Sequence, residues 1–418
     1  MSRRLNREDY TVGWICALPV ELAAAQEMLD EEHKDLERDI KDNDENLYSL
    51  GSIAGHNVVI VSLPAGRIAN NSAAAVAAQT RATFKGIRFW LMVGIGGGVP
   101  SAEFDIRLGD VVVSQPHQTF GGVIQYDLGK ATPSGFERTG SLNSPPQILL
   151  SAIARVRATE LRGRSKLSEH VSKLDRISKF RRANAGPDVL FEAAYDQDGG
   201  QTCDLCNTDR QEARQPRESD GVVVHYGTIA SGNQVMRDGR TRDRVSRELG
   251  GILCFEMEAA GLMNSFPCLV IRGICDYADS HKTKRWQPYA AATASAYGKA
   301  LLSTIPAAEV AKQGSMDDVM HGVPGPEYLE PTDLKAILAG LAREKKDDLS
   351  WQTSIVDLLK LLGLASSLDA RERLAERLDI HVGPSGSSKQ NIALHKAMMK
   401  ELAANNGRVP TKIREWLS

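Results

Sequence analysis

The chain has 418 residues, more than one typical domain holds, so two domains are expected. A formal net charge of −2, with 25% of residues charged, gives no electrostatic case for binding nucleic acid or an anionic membrane surface. No apolar run approaches the roughly 20 residues of a membrane-spanning helix. The first ten residues carry no apolar signal core, and six cysteines in so long a chain do not make a disulfide scaffold, so the reading is a soluble protein of the reducing cytoplasm.

Residues 10–17 (YTVGWICA) predict a buried strand, and Leu18-Pro19-Val20-Glu21 opens an Ala-rich helix through Leu29. A second strand is expected at 57–63, followed by an Ala-rich helix over 71–83. Residues 89–93 predict a third strand that runs into Gly94-Ile95-Gly96-Gly97-Gly98, and 110–114 a fourth. Strands near 222–229, 253–255 and 268–274 follow, with helices from Ala259 and over 286–302. Strands alternating with helices, apolar on both faces, predict an α/β sheet covered by helices.

Residues 135–220 are expected as an insertion. Within it 149–158 reads as helical, and 166–215, polar and charge-mixed, as a partly mobile excursion. The α/β domain is expected to span 1–307, and the Gly/Pro-containing stretch 308–331 reads as a linker. From 332 to 418 no strand pattern appears. Thr332 or Asp333 can cap a helix carrying Leu334, Ile337, Leu338 and Leu341, and residues 350–362 place Trp351, Ile355, Leu358, Leu359 and Leu362 at helical spacing. Short helices are expected over 369–378, 391–403 and 411–417, making a small all-α module.

Carboxylates at the edges of apolar runs are the candidate chemistry, because an acid beside a core is costly unless paired, bonded or used. Glu21 stands on the first turn of the first helix, where the helix dipole favours it and where open α/β sheets build ligand crevices. Glu256 and Glu258 share a face if they lie on a strand but not on a helix. Met257 beside an acid suits a sugar, or one glutamate caps the helix that follows. Asp276 ends an apolar strand, where partial burial would raise its pKa toward that of a proton donor, while Asp279 reads as an N-cap and Arg272 can pair with either. The Gly94–Gly98 run is out of frame for a dinucleotide fingerprint, since the third glycine falls at Val99 and Pro100 follows. It marks close approach of backbone to a flat ligand or another strand. Cys203 and Cys206 supply two of the four ligands of a structural zinc, which His225 or another cysteine would have to complete; no metal centre is expected.

The blocks at 89–100, 109–113, Ser231-Gly232, 255–259 and 272–276 resemble, in order and spacing, the purine nucleoside phosphorylase / 5′-methylthioadenosine–S-adenosylhomocysteine nucleosidase superfamily over about residues 10–305. The wording ASGNQVMRDG and CFEMEAAGLM is similar to fungal nucleoside-hydrolase-type members. The resemblance implies a three-layer α/β/α domain with a mixed central sheet, no cofactor, and a homo-oligomer. It implies that Glu258 grips the ribose hydroxyls, Met257 packs under the sugar, Asp276 protonates purine N7, and Gly96 and Gly97 lie along the base. Val235 and Met236 would flank the purine, with an aliphatic residue at 235 where an aromatic one is common. Arg272 belongs to the same substrate-binding set, and Cys275 stands where a serine usually orients the acid.

Met92 and Ile95 stand where phosphorylases of this type place an arginine and a serine for phosphate, and Glu21 stands where the nucleosidase branch carries its water-activating glutamate. Both features imply hydrolysis of adenosine, guanosine or inosine to free base and ribose. Arg67 keeps open a phosphorylase, and a non-catalytic nucleoside sensor is the further alternative. Phe120, Gln125 and Tyr126 are candidates at the pocket edge. The C-terminal module resembles a small helical domain of uncharacterised function, read as an interaction or oligomerisation module, with His395 as a packed or rim residue.

Overall fold

The computed structural model describes residues 3–37, 44–197, 202–219, 221–311, 349–378 and 380–403, with single positions 334, 338, 339, 341, 342, 409, 413 and 416. These fall into two compact units, one up to residue 311 and one C-terminal.

In the first unit the strands are β1 (Val12–Cys16), β2 (Glu31–Glu32), β3 (Tyr48–Ile53), β4 (His56–Ser62), β5 (Phe89–Gly98), β6 (Val111–Ser114), β7 (Val123–Gln125), β8 (Gly129–Thr132), β9 (Gly135–Arg138), β10 (Val224–Ser231), β11 (Ile252–Glu256) and β12 (Cys268–Asp276). The main sheet runs β11-β10-β6-β12-β5-β1-β4-β3-β2. Its centre, β12-β5-β1-β4, is parallel, and β12 to β6 and β3 to β4 are antiparallel, so the sheet is mixed. The far end of β5 also meets β11 antiparallel, Phe255 opposite Gly97 and Cys254 opposite Gly98, which closes β5, β12, β6, β10 and β11 into a ring.

Alternation along the strands sorts the core into two layers. Val12, Trp14 and Cys16 of β1 with Phe89, Leu91 and Val93 of β5 face α1 (Pro19–Gln26), α3 (Gln147–Leu161), α4 (Leu167–Ser172) and α6 (Gln287–Leu302). Ile15, Trp90 and Met92 face α2 (Asn70–Thr83) and the segment around Leu262, and α5 (Gly239–Glu248) links β10 to β11. The domain is therefore a three-layer α/β/α sandwich. Alanines let α6 lie close to the sheet: a Cβ on Gly273 of β12 would sit 1.9 Å from the Ala290 carbonyl oxygen.

Three expectations are corrected. No helix begins at Ala259; a single 3-10 turn, Ala259–Gly261, stands there, because Gly261 lies against the Asn70 backbone, 2.1 Å from a Cβ position to the Asn70 oxygen. β3, with a Gly-interrupted pattern, was not expected. The stretch 166–215 is not a loose excursion: Leu167, Leu174 and Phe180 enter the core layer beneath α6, and the Arg182 guanidinium stacks 4.2 Å over Trp286.

The C-terminal unit contains helices Ile355–Leu361, Leu368–Arg377 and Ser388–Ala403, the first two capped by Ser354 and Ser367. Leu358, Leu359, Leu374, Leu394 and Met398 form its core, and His395 Nε2 lies 2.9 Å from the Trp351 carbonyl. The linker expected over 308–331 begins instead as a helix, Ala307–Ala311, with Val310 buried; its remainder over 312–331, the caps Thr332 and Asp333, Ile337, and most of 411–417 lie outside the described residues.

Gly273→Ala is expected to cost about 1–3 kcal/mol, because rigid helix backbone must yield to the new methyl group. Urea denaturation measures it; an unchanged midpoint would show that α6 does not press on β12 as described.

Candidate active site

The site is built where the ends of β1, β5, β11 and β12 converge. Arg272 has no exposure, and its Nη2 bonds the Glu256 carboxylate and, at 3.3 Å, Glu258 Oε2. This corrects the expected pairing with Asp276 or Asp279. Arg272 lies opposite Gly94, whereas Asp276 lies opposite Gly97 beyond a register shift, and Asp279 lies 3.9 Å from Arg242 instead of capping a helix.

The two glutamates do not share a strand face, since β11 ends at Glu256. The Glu256 carboxylate turns back to accept the N–H groups of Glu258 (3.1 Å) and Ala259 (3.0 Å), which frees Glu258 to face the cavity. Burial raises the Glu258 pKa to about 7; Arg272 opposes this, while Glu256 and Glu21 add to it. The Ala69 N–H also hydrogen-bonds Glu258, and Ala69 adopts φ +86° to present it.

Glu21 is 2% exposed and accepts three backbone N–H groups, from Ala17 (2.6 Å), Leu18 (2.9 Å) and Ile95 (2.8 Å). Burial raises its pKa, against the pull of Arg272 and those three donors. Gly94 makes this possible: a Cβ there would lie 2.5 Å from both Glu21 Oε1 and Arg272 Nη1.

Asp276 was expected as a partly buried acid within reach of Arg272. Its Oδ1 is instead 3.0 Å from Lys282 Nζ and accepts the Ala278 N–H (2.9 Å), with Ala278 at φ +53°. Cys275 Sγ lies 3.3 Å from Oδ2 and, kept as a thiol by burial, can donate to it, so the hydrogen bond placed in question by cysteine at this position is geometrically present. A Cβ on Gly97 would sit 2.8 Å from Asp276 Oδ1, and one on Gly96 2.4 Å from Cys254 Sγ. These glycines continue β5 instead of forming a loop.

Glu21, Gly96, Gly97, Val235, Met236, Met257, Glu258 and Asp276 all line one cavity of about 140 Å³; Arg272 lies behind it. Sequence reasoning did not single out Lys282, Gln234 or Gln287, which share the wall with Phe255. Val235 is 52% exposed, and Phe255 and Met257 supply apolar surface. Phe120 and Gln125 line a different cavity, while Tyr126 braces this one from outside, donating to the Gln234 carbonyl at 2.9 Å. A larger cavity of about 570 Å³ lies elsewhere, but its arginines are committed, Arg214 to Asp188 and Arg217 to Asp110. Among the described residues no three His, Cys, Asp or Glu side chains cluster as metal ligands, so Cys203 and Cys206 find no third partner there. No described helix is long and apolar enough to cross a membrane.

A model of the phosphorylase superfamily matches residues 11–303, and the chain belongs to that superfamily. A domain of unknown function, DUF3597, matches residues 273–410. The chain is 50% identical over 304 residues to a nucleotide-binding leucine-rich repeat (NLR)-like protein of Hyaloscypha variabilis; the match covers 72% of this chain and 30% of that protein, so the chain spans less than a third of this relative's length. It is 25% identical over 301 residues to the 5′-methylthioadenosine/S-adenosylhomocysteine nucleosidase of Mycobacterium bovis, covering 71% of this chain and 97% of that one. Among solved structures it is similar to the nucleosidase of the same name from Neisseria meningitidis, at 17% identity and a TM-score of 0.45, covering 70% of this chain and 99% of that one.

A proton held by burial on Glu258 favours the fold at low pH. This contribution is complete below the ordinary value of 4.5 and is lost as pH rises through about 7. Glu258→Gln, which does not ionise, should flatten the stability profile across that window. Denaturation at a series of pH values reads it; identical slopes would contradict the burial account.

Proposed function

We propose that the chain is a purine nucleoside hydrolase that splits the N-glycosidic bond of ribonucleosides such as adenosine, guanosine or inosine into free base and ribose. The observation that carries this reading is the convergence of Glu21, Glu258 and Asp276 on one cavity whose only cation, among the described residues of its wall, is Lys282, already paired with Asp276. A phosphate dianion would find no free partner there. Arg272 is occupied by glutamates, Met92 is buried, Ile95 gives its N–H to Glu21, and Arg67 is not part of the cavity wall.

In this reading Asp276 gives a proton to purine N7 as the glycosidic bond stretches and the ribose gains oxocarbenium character. Glu258, oriented by Arg272 and the Ala69 N–H, holds the ribose hydroxyls over Met257. Glu21, its proton affinity raised by burial, orients and deprotonates a water on the opposite face. Two carboxyl groups on opposite sides of the breaking bond follow the inverting logic of glycosidases, with the acid acting on the base. The nucleosidase relatives support the reaction class, and the strand-end carboxylates support the assignment of roles.

Sugar release from adenosine, guanosine and inosine, with and without phosphate, tests the reading. Equal release without phosphate is expected; strict phosphate dependence, or binding without release, would overturn it. Asp276→Asn and Glu258→Gln should each lower turnover by about 10²–10⁴-fold, while Cys203→Ser should leave it within about twofold. Undiminished rates in both acid variants would defeat the assignment.

A further inference from the structure

Lys282 sits in a polar run, Asp279-Ser280-His281-Lys282-Thr283-Lys284-Arg285, that reads as an ordinary solvated loop. The fold takes it out of that role. Its side chain is 23% exposed, its Nζ lies 3.0 Å from Asp276 Oδ1, and both residues line the cavity that holds Glu21 and Glu258. The loop is fixed on its other side: Gln197 N–H donates to Ser280 Oγ at 2.9 Å, and the His281 ring stacks on Phe191 at 4.1 Å. Lys282 is thus held over Asp276 by packing instead of sampling solvent.

Every other contact of Asp276 is also a donor, the Ala278 N–H on Oδ1 and the Cys275 thiol on Oδ2. The other charged or titratable groups facing this carboxylate are Asp279, which lies 3.9 Å from Arg242 with the His281 ring beside it, Cys254 on β11, and, on the far cavity wall, Glu21, Glu256 and Glu258 around Arg272. Lys282 is the only cation that touches Asp276 among the described residues.

Resting on the hydrolase reading, we propose that Lys282 is a positioning residue for the leaving-group half of the reaction, holding Asp276 Oδ1 and stabilising the carboxylate that remains once the proton has passed to the purine. The proton moves from the Asp276 carboxyl to N7 while the C1′–N9 electron pair passes to the base. The carboxylate so created faces an ammonium already in place, so no reorganisation is needed as charge develops. Cys275 holds the other oxygen through a weak S–H donor, so the stronger anchor falls to Lys282.

The test compares two leaving groups in the full chain. Inosine needs a proton on its base; p-nitrophenyl β-D-riboside, whose phenolate leaves unaided, does not. Lys282→Met should lower kcat on inosine by about 10–10²-fold with KM nearly unchanged, and leave the nitrophenyl riboside within about twofold. Lys282→Arg should restore most of the inosine rate. Equal losses on both substrates, or none on either, with a wild type active on both, would overturn the role of Lys282 alone. A wild type that cleaves none of inosine, adenosine, guanosine and the nitrophenyl riboside would overturn the hydrolase reading and this inference with it. Matching melting temperatures of wild type and variants separate a rate effect from misfolding.

Discussion

A guanidinium with no access to solvent is the constraint around which this domain is arranged. Arg272 enters from the middle of β12 and meets Glu256 from the end of β11 and Glu258 from the turn beyond it, while Glu21 adds a third carboxylate within its field. Removing one partner of such a buried pair costs about 3–5 kcal/mol, because the charge left behind has no water to turn to. The closed ring of strands that brings β11 onto β5 is what places those partners within reach. Gly94 carries no side chain because the same crowding leaves no space for one.

This arrangement leaves more negative than positive groups around the cavity, and each is restrained differently. Glu256 is consumed by Arg272 and two backbone donors, so it serves as scaffold. Glu21 is tethered by three N–H groups but desolvated, a combination suited to orienting water. Glu258 is desolvated with weaker support, and Asp276 lies at the edge beside an ammonium. Chemically similar acids thus sit in different surroundings, the condition under which the proposed reaction can draw both an acid and a base from one site.

Much of the fold was legible because its signals are local. The alternating apolar faces of β1 and β5 and the alanines of α6 declare a sheet covered by helices, and Glu21, Glu258 and Asp276 stand out as acids set against apolar runs. What was missed depends on distant partners. Nothing near Ala69 announces its positive φ, which aims an N–H at Glu258, a carboxylate made far along the chain. Lys282 looks like any surface lysine until β12 brings Asp276 beneath it. The division of labour between Glu256 and Glu258 depends on where β11 stops, a boundary that two-residue spacing does not reveal. The polar stretch 166–215 hid its few apolar anchors among charges, and their burial beneath α6 is a tertiary event.

The central claim, that three carboxylates from separate strand ends share one bound nucleoside, is tested most directly by a crystal structure of the chain with an unreactive purine C-nucleoside. The account predicts the base along Gly96 and Gly97 with its N7 edge at Asp276, the ribose 2′ and 3′ hydroxyls on Glu258, and a water between Glu21 and C1′. A nucleoside bound instead among the arginines of the larger cavity, or one whose sugar and base leave these three carboxylates untouched, would contradict it.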